Sequence, residues 1–149
     1  MQIAVIAFAR SVCGFKDANS GEFDENSAHK VIDFLPDQNE SVNKGGTLRL
    51  GAYPCKIKKG TQMYKCYKTE EISERHRHRY EFNNDFRNAL EDAGLTLSGT
   101  SPDGNIIETV EYDKNNFYVG VQFHPEFKSR PNKAHPLFLG LVAAALGEQ

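Results

Sequence analysis

No run of apolar residues in this chain approaches the length of a membrane span, and the opening Met1-Gln2-Ile3-Ala4 lacks the positive flank of a signal peptide. Cysteine is scarce. Cys13, Cys55 and Cys66 are an odd number with no CxxC spacing, which speaks against a disulfide framework or a structural zinc and for a reduced, cytoplasmic setting. Charge of one sign is lacking too: a net charge of −2 gives no global field for a nucleic acid or an anionic membrane. Repeats, low-complexity segments and internal domain boundaries are also missing. What is present suffices for a folded unit. A hydrophobic content of 39% with 11% aromatics argues against disorder. A chain of 149 residues suits one domain, residues 1–149, and can bury roughly 70% of its unfolded surface without staples.

The periodicities predict an α/β fold with helices on a mixed sheet. Residues 2–13 read as a helix apolar nearly all round, of the kind found inside a larger protein, with Gly14 as its C-cap. No capping residue or polar run-in precedes it, so the chain is expected to be cut from something longer. Residues 16–30 read as a loop, 31–35 as a short strand ended by Pro36, and 37–46 as a polar, flexible connection. Residues 47–57 alternate, with Leu48, Leu50 and Ala52 on one face and Thr47, Arg49 and Gly51 on the other. Residues 63–67 are expected to be the second strand of a hairpin with them. Residues 75–82 alternate again. Asn83 or Asn84 caps a helix running to about Ala93, with Phe86, Leu90 and Ala93 as its stripe and Gly94 at its end. Ser101-Pro102-Asp103-Gly104 is a turn sequence joining strands at 95–97 and 106–112. A last helix starts at Pro136 and closes at Gly147.

The most informative stretch is Val119-Gly120-Val121-Gln122-Phe123-His124-Pro125-Glu126-Phe127. An alternating strand should stop near Phe123, because proline cannot donate to a ladder and holds the residue before it extended. His124 then sits where the strand runs out into a loop. Glu126, two positions on, can fix one ring nitrogen and leave the other free to take a proton from a nucleophile. A loop histidine beside a surface glutamate is the plainer alternative.

Arg75-His76-Arg77-His78-Arg79-Tyr80-Glu81 is the second unusual stretch. With period two, the arginines share one face and His76, His78 and Tyr80 the other. The two histidines could bind zinc only with a third ligand from elsewhere, and three arginines among Glu70, Glu71, Glu74 and Glu81 make a poor nucleic-acid patch. A solvated strand face and an arginine that grips a small carboxylate both remain open. By themselves, Glu22 reads as a surface acid in a loop and Gln2 as the head of a helix. The cysteines are weak candidates for a nucleophile, Cys13 lying in a helix and the other two in expected strands.

Taken together, these stretches resemble the C-terminal half of the glutaminase domain of the CTP synthase family, which are class I (triad-type) glutamine amidotransferases. The matching residues are Gly46-Thr47-Leu48-Arg49-Leu50-Gly51, ERHRHRYEFN at 74–83, Ser98-Gly99-Thr100-Ser101-Pro102-Asp103-Gly104, QFHPEF at 122–127 followed by Ser129-Arg130-Pro131, and His135-Pro136-Leu137-Phe138. The resemblance implies an incomplete flavodoxin-like domain. It implies His124 as general base, Glu126 as its orienting acid, and Gln2, Glu22 and Arg79 as the residues that hold L-glutamine. The family's nucleophile is a cysteine in an elbow reading C-L-G-M-Q. Met1-Gln2 match its last two residues, so the catalytic cysteine is expected three residues before Met1 and the chain alone is expected to be inactive. No metal site and no cofactor are expected in these residues. The resemblance places ATP and Mg2+, which serve the conversion of UTP to CTP, in a synthase domain outside them, with GTP as activator and a homotetrameric parent enzyme. Two rivals are another class I amidotransferase or γ-glutamyl hydrolase, and a non-catalytic module in which the arginine strand binds anions or a partner.

Overall fold

A computed structural model describes residues 1–34 and 48–148. The expected connection at 37–46 and the end of the strand at Leu35 and Pro36 lie outside the described residues, as do Gly46 and Thr47. In chain order the elements are α1 (Gln2–Ser11), β1 (Asn19–Ser20), β2 (Lys30–Asp33), β3 (Arg49–Ile57), α2 (Gln62–Tyr67), β4 (Glu71–His78), β5 (Glu81–Phe82), a 3-10 turn (Asn84–Phe86), α3 (Arg87–Asp92), β6 (Thr96–Thr100), β7 (Ile107–Glu111), β8 (Val119–Val121), a second 3-10 turn (Pro125–Phe127) and α4 (Pro136–Ala145). The strands form two sheets, one ordered β1-β2-β5 and the other β4-β3-β6-β7-β8. The expected mixed pairing is found in the smaller sheet, where β1 runs parallel and β5 antiparallel to β2. The larger sheet is antiparallel throughout.

Helix α1 covers the main core with Val5, Ile6, Phe8 and Ala9, packed on Val31, Ile32, Phe82, Leu90, Ile107 and Val110. Its apolar residues do not all go inside: Ile3 is 64% and Val12 43% exposed, so one stripe is buried instead of the whole circumference. Gly120 lets the start of this helix lie against β8, since a Cβ there would stand 3.2 Å from the Cα of Met1 and 3.1 Å from Val110. A second cluster, Cys55, Ile57, Met63, Phe123 and Leu137, fills the space between the large sheet, α2 and α4. The hairpin at 101–104 and the terminal helix form as expected, while the helix expected after Asn83 opens as a 3-10 turn capped by Asn83 and continues as α3, which has no side-chain cap of its own. Asn83 Oδ1 accepts from the Asp85 amide, Gly104 takes φ +78°, and Pro136 opens α4. The loop at 16–30 contains the short β1. Among the described residues no helix is long and apolar enough to cross a membrane.

Two local expectations need correction. Residues 63–67 are helical, not extended, and β3 forms its hairpin with β4 instead, in register from Arg49 opposite His78 to Lys56 opposite Glu71. The six-residue α2 is too short for its apolar spacing to declare a period, and what fixes it is the satisfaction of its first amides. Thr61 Oγ1 accepts from the Tyr64 amide, while the Glu111 carboxylate takes the Gln62 and Met63 amides at 2.8 Å each. Cys66 therefore sits in a helix, not a strand. The alternation in β3 is kept, but it is the Arg49 face that turns inward: Arg49 is 8% exposed and Leu50 62%.

The reason is a buried polar seam. Arg49 donates to Glu108 Oε1 at 2.7 Å and to Glu81 Oε1 at 3.3 Å, so one guanidinium joins β7 of the large sheet to β5 of the small one. Gln122 Nε2 donates to the other oxygen of Glu81 at 3.0 Å. His78 Nδ1 lies 3.4 Å from Glu81, and its Nε2 is 2.8 Å from His76 Nδ1. Burial pushes the Glu81 carboxyl up to about 7 against the pull of Arg49, and raises Glu108 in the same direction. Burial and then the Arg49 charge push His76 down to about 3 and His78 to about 4.

These shifts oppose each other in pH. The imidazoles stay neutral in the fold while the unfolded chain protonates them below 6.5, so their contribution to stability is lost as pH falls towards 3–4. Glu81 holds a proton in the fold up to about 7 where the unfolded carboxyl loses it above 4.5, so its contribution weakens as pH rises through that window. The Glu81→Gln variant fixes the neutral form. Its Tm relative to the natural chain should therefore shift in the variant's favour between pH 4.5 and 7 and level off above. A Tm difference independent of pH would refute the assignment.

Candidate functional site

The large sheet ends at β8, and the chain emerges from it through buried Gln122 and Phe123 into His124. The His124 amide donates to the Arg75 carbonyl of β4 at 2.9 Å, so two strands hold the residue's backbone. Pro125 then opens a 3-10 turn, and this turn, not the expected extended segment, swings Glu126 back under the ring. Glu126 Oε1 lies 2.7 Å from His124 Nδ1. A carboxylate at that distance fixes the proton on Nδ1 and leaves Nε2 as the ring's acceptor. Hydrogen bonding by its own backbone amide and by His124 holds the Glu126 carboxyl below its ordinary value. The ring also stacks on Phe127, centroids 5.0 Å apart.

His124 lines a cleft of about 640 Å³ on the seam between the two sheets. Gln2 from the head of α1, Glu22 from the turn after β1, and Arg79 from the turn between β4 and β5 line it as well. Glu126 stands behind His124 and is not part of the lining. The arrangement thus brings an acceptor nitrogen, a carboxylate, a guanidinium and a carboxamide to one concave surface.

The alternation expected at 75–81 is kept within β4: Arg75 and Arg77 face out, while His76 and His78 face in. Arg79 lies past the strand's end and turns into the cleft beside Arg77. Two contributors were missed in the sequence. The Tyr80 carbonyl accepts from Gln2 Nε2 and from Gln122 Nε2, both at 3.0 Å, so two side-chain amides fasten the turn that carries Arg79. Gln122 falls on the face opposite Val119, Val121 and Phe123 in the alternation, so the sequence gives no sign of its burial. Burial and the charge of Glu22 raise the Tyr80 phenol, which stays protonated.

Among the described residues no cysteine lines the cleft. Burial pushes the Cys55 thiol up to about 12 and raises Cys13 and Cys66, the opposite of what a nucleophilic thiolate needs. Among the described residues, His76, His78 and Glu108 place three possible metal-ligand atoms within 4.8 Å of one another. Glu108 would be the third ligand for the two histidines. The site fits a metal poorly, because the 2.8 Å contact between the imidazoles is a hydrogen-bond length and Arg49 holds one oxygen of Glu108.

Comparison with known proteins identifies the family. The model of the class-I glutamine amidotransferase family matches residues 1–144. The CTP synthase of Methanocaldococcus jannaschii is 58% identical over the whole chain, which spans 28% of that protein, and the CTP synthase of Fibrobacter succinogenes is 59% identical, with the whole chain spanning 27% of it. The chain thus covers little more than a quarter of the length of these relatives. Among solved structures, the glutaminase domain of Trypanosoma brucei CTPS with bound acivicin superposes with a TM-score of 0.91 at 39% identity, covering all of this chain and 58% of that one. The expected class I amidotransferase architecture is the one observed, and the chain belongs to the class-I glutamine amidotransferase family.

Proposed function

We propose that these residues are the glutaminase portion of a CTP synthase, with His124 as general base and Glu126 as its orienting acid. One observation carries the reading: an imidazole held at 2.7 Å by a carboxylate opens onto a cleft whose other walls present Glu22 and Arg79. Free glutamine is a zwitterion with an amide side chain. Glu22 suits its ammonium, the fork of Arg79 its carboxylate, and Gln2 supplies a further amide contact. Bound in that way, the substrate presents its side-chain amide towards His124.

Because no cysteine among the described residues lines the cleft, the reading requires a sulfur nucleophile from outside these 149 residues. His124 Nε2 takes the thiol proton as the sulfur attacks the amide carbon, then delivers it to the departing nitrogen, so the C–N bond breaks and ammonia leaves. Water activated by the same nitrogen cleaves the resulting thioester to glutamate. The reading assigns no cofactor or metal to this portion. It assigns the use of ammonia on UTP, with ATP and Mg2+, activation by GTP and assembly as a homotetramer to the remainder of the enzyme, which works in the cytoplasm.

Two outcomes are expected. The purified chain releases no ammonia from glutamine, whereas joining it to the preceding three-quarters of the M. jannaschii protein gives glutamine-dependent CTP formation. In that joined protein His124→Ala lowers glutamine-dependent kcat by about 10⁴–10⁶ and spares synthesis from added ammonium chloride. Ammonia release by the chain alone, or an active His124→Ala protein, would sink the proposal. Separately, Arg79→Lys keeps the charge but loses the fork, and should raise KM for glutamine by roughly 10–100-fold with kcat nearly unchanged. An unaltered KM removes Arg79 from the substrate site.

A further inference from the structure

Behind the His124/Glu126 pair lies a second group of polar side chains that the proposed reaction does not use. Glu74, on the inward face of β4, is 2% exposed. Its Oε1 accepts from the Tyr67 hydroxyl at 2.9 Å and from His135 Nε2 at 3.3 Å, while its Oε2 is buried without a partner. His135 Nδ1 accepts from the Leu137 amide at 3.3 Å as the N-cap of α4, which leaves Nε2 as the protonated nitrogen. The His135 amide donates in turn to Ser129 Oγ at 3.2 Å, closing the loop that follows Glu126. Lys128 reaches the Ser73 carbonyl and lies 3.7 Å from Glu74 Oε1.

Three consecutive residues of β4 therefore grip one segment. The Arg75 carbonyl holds His124, the Glu74 carboxylate holds His135 both directly and through the Tyr67 hydroxyl, which lies 3.0 Å from His135 Nε2, and the Ser73 carbonyl holds Lys128. The His124 and Glu126 side chains are 38% and 57% exposed, and a pair so wetted gains little from its own attraction. Its 2.7 Å geometry has to be imposed by what stands behind it. A buried carboxylate with an idle oxygen is a poor choice for stability, since an apolar side chain of similar volume avoids the desolvation cost. A role in orientation accounts for it.

We propose that Glu74 and His135 are positioning residues for the His124/Glu126 pair, clamping the turn at 124–128 from behind so that the ring keeps its Nδ1–H tautomer and its aim into the cleft. The inference rests on His124 being the base, but it is tested by a signal that does not depend on catalysis. The ring 15N shifts of His124 in the 149-residue chain report its tautomer, and hydrogen exchange of its amide reports the bond to Arg75.

Three variants separate the possibilities. Glu74→Leu keeps volume without an acceptor, Glu74→Gln keeps an acceptor, and His135→Asn keeps an oxygen for the α4 cap but is too short to reach Glu74. In Glu74→Leu and His135→Asn the His124 ring should move towards a mixed tautomer, and its amide should exchange at least about tenfold faster, as expected for a local opening. Amides in β6 and β7 should be unchanged, and Glu74→Gln should retain the natural pattern. In the joined protein, Glu74→Leu should lower kcat by roughly 10–100-fold with KM for glutamine unchanged, the cost of a slightly misplaced base. Natural His124 signals in a folded Glu74→Leu or His135→Asn chain would overturn the clamp. If Glu74→Leu does not fold, His135→Asn decides alone. A joined protein that never hydrolyses glutamine counts against the functional reading and leaves the ring measurement to judge the clamp.

Discussion

The guanidinium of Arg49 lies between two carboxylates that belong to different sheets, and the cleft stands on that pairing. Glu108 comes from β7 of the five-stranded sheet and Glu81 from β5 of the three-stranded one. Arg79 and Tyr80 occupy the short turn by which the chain crosses from β4 to β5, so the seam joined below by Arg49 is the seam that opens above as the cleft. Gln122 extends the same stitching to β8, since one amide nitrogen contacts both Glu81 and the Tyr80 carbonyl. His124 and Arg79 are thus tied to one buried carboxyl group through one side chain.

A seam built from ions is costly to bury, and two carboxylates around one guanidinium leave an unbalanced charge. Burial answers by raising the carboxyl pKa values, and burial with the Arg49 charge keeps both neighbouring histidines neutral. Apolar packing joins the rest of the sheets, in the cluster beneath α1 and in the one beneath α4. A line of buried polar groups runs under the cleft. There the direction of hydrogen bonds matters, because carbonyls and amides of adjacent turns must be presented at fixed angles and apolar contacts are non-directional.

What could be read from the sequence is what is decided within a few residues. Proline after His124 ends the strand, and two positions suffice to bring Glu126 to the ring, even though the turn is 3-10 and not extended. Asn83, the 101–104 turn and Pro136 announce themselves in the same local way. Residues 63–67 did not, because the carboxylate that caps α2 comes from Glu111, 48 and 49 residues further on. The inward face of β3 was hidden for the same reason, since Arg49 finds its partners 32 and 59 positions away. No local pattern gathers Gln2, Glu22 and Arg79 around His124. Their grouping was expected only from family resemblance, and Glu74 was seen merely as an acid that spoils a basic patch.

The site accordingly divides into parts with different physical demands. The groups that would meet a substrate are largely wetted, so they are free to exchange water for ligand, but their own attractions cannot hold them in place. Rigidity comes from buried groups one layer back: Gln122 and Glu81 behind the turn of Arg79, and Glu74 and His135 behind the turn of His124. Both layers meet in β4 and its continuation, whose inward side chains Glu74, His76 and His78 face the buried polar groups. Its outward Arg77 lines the cleft, and Arg79 follows at the strand's end. Period two forces that coupling, because any slip of β4 against β3 by one residue would expose buried Glu74 and the histidines and bury the arginines together. The eight-residue register from Arg49 opposite His78 to Lys56 opposite Glu71 therefore sets the spacing between Arg79 and His124, as well as the pairing of two strands.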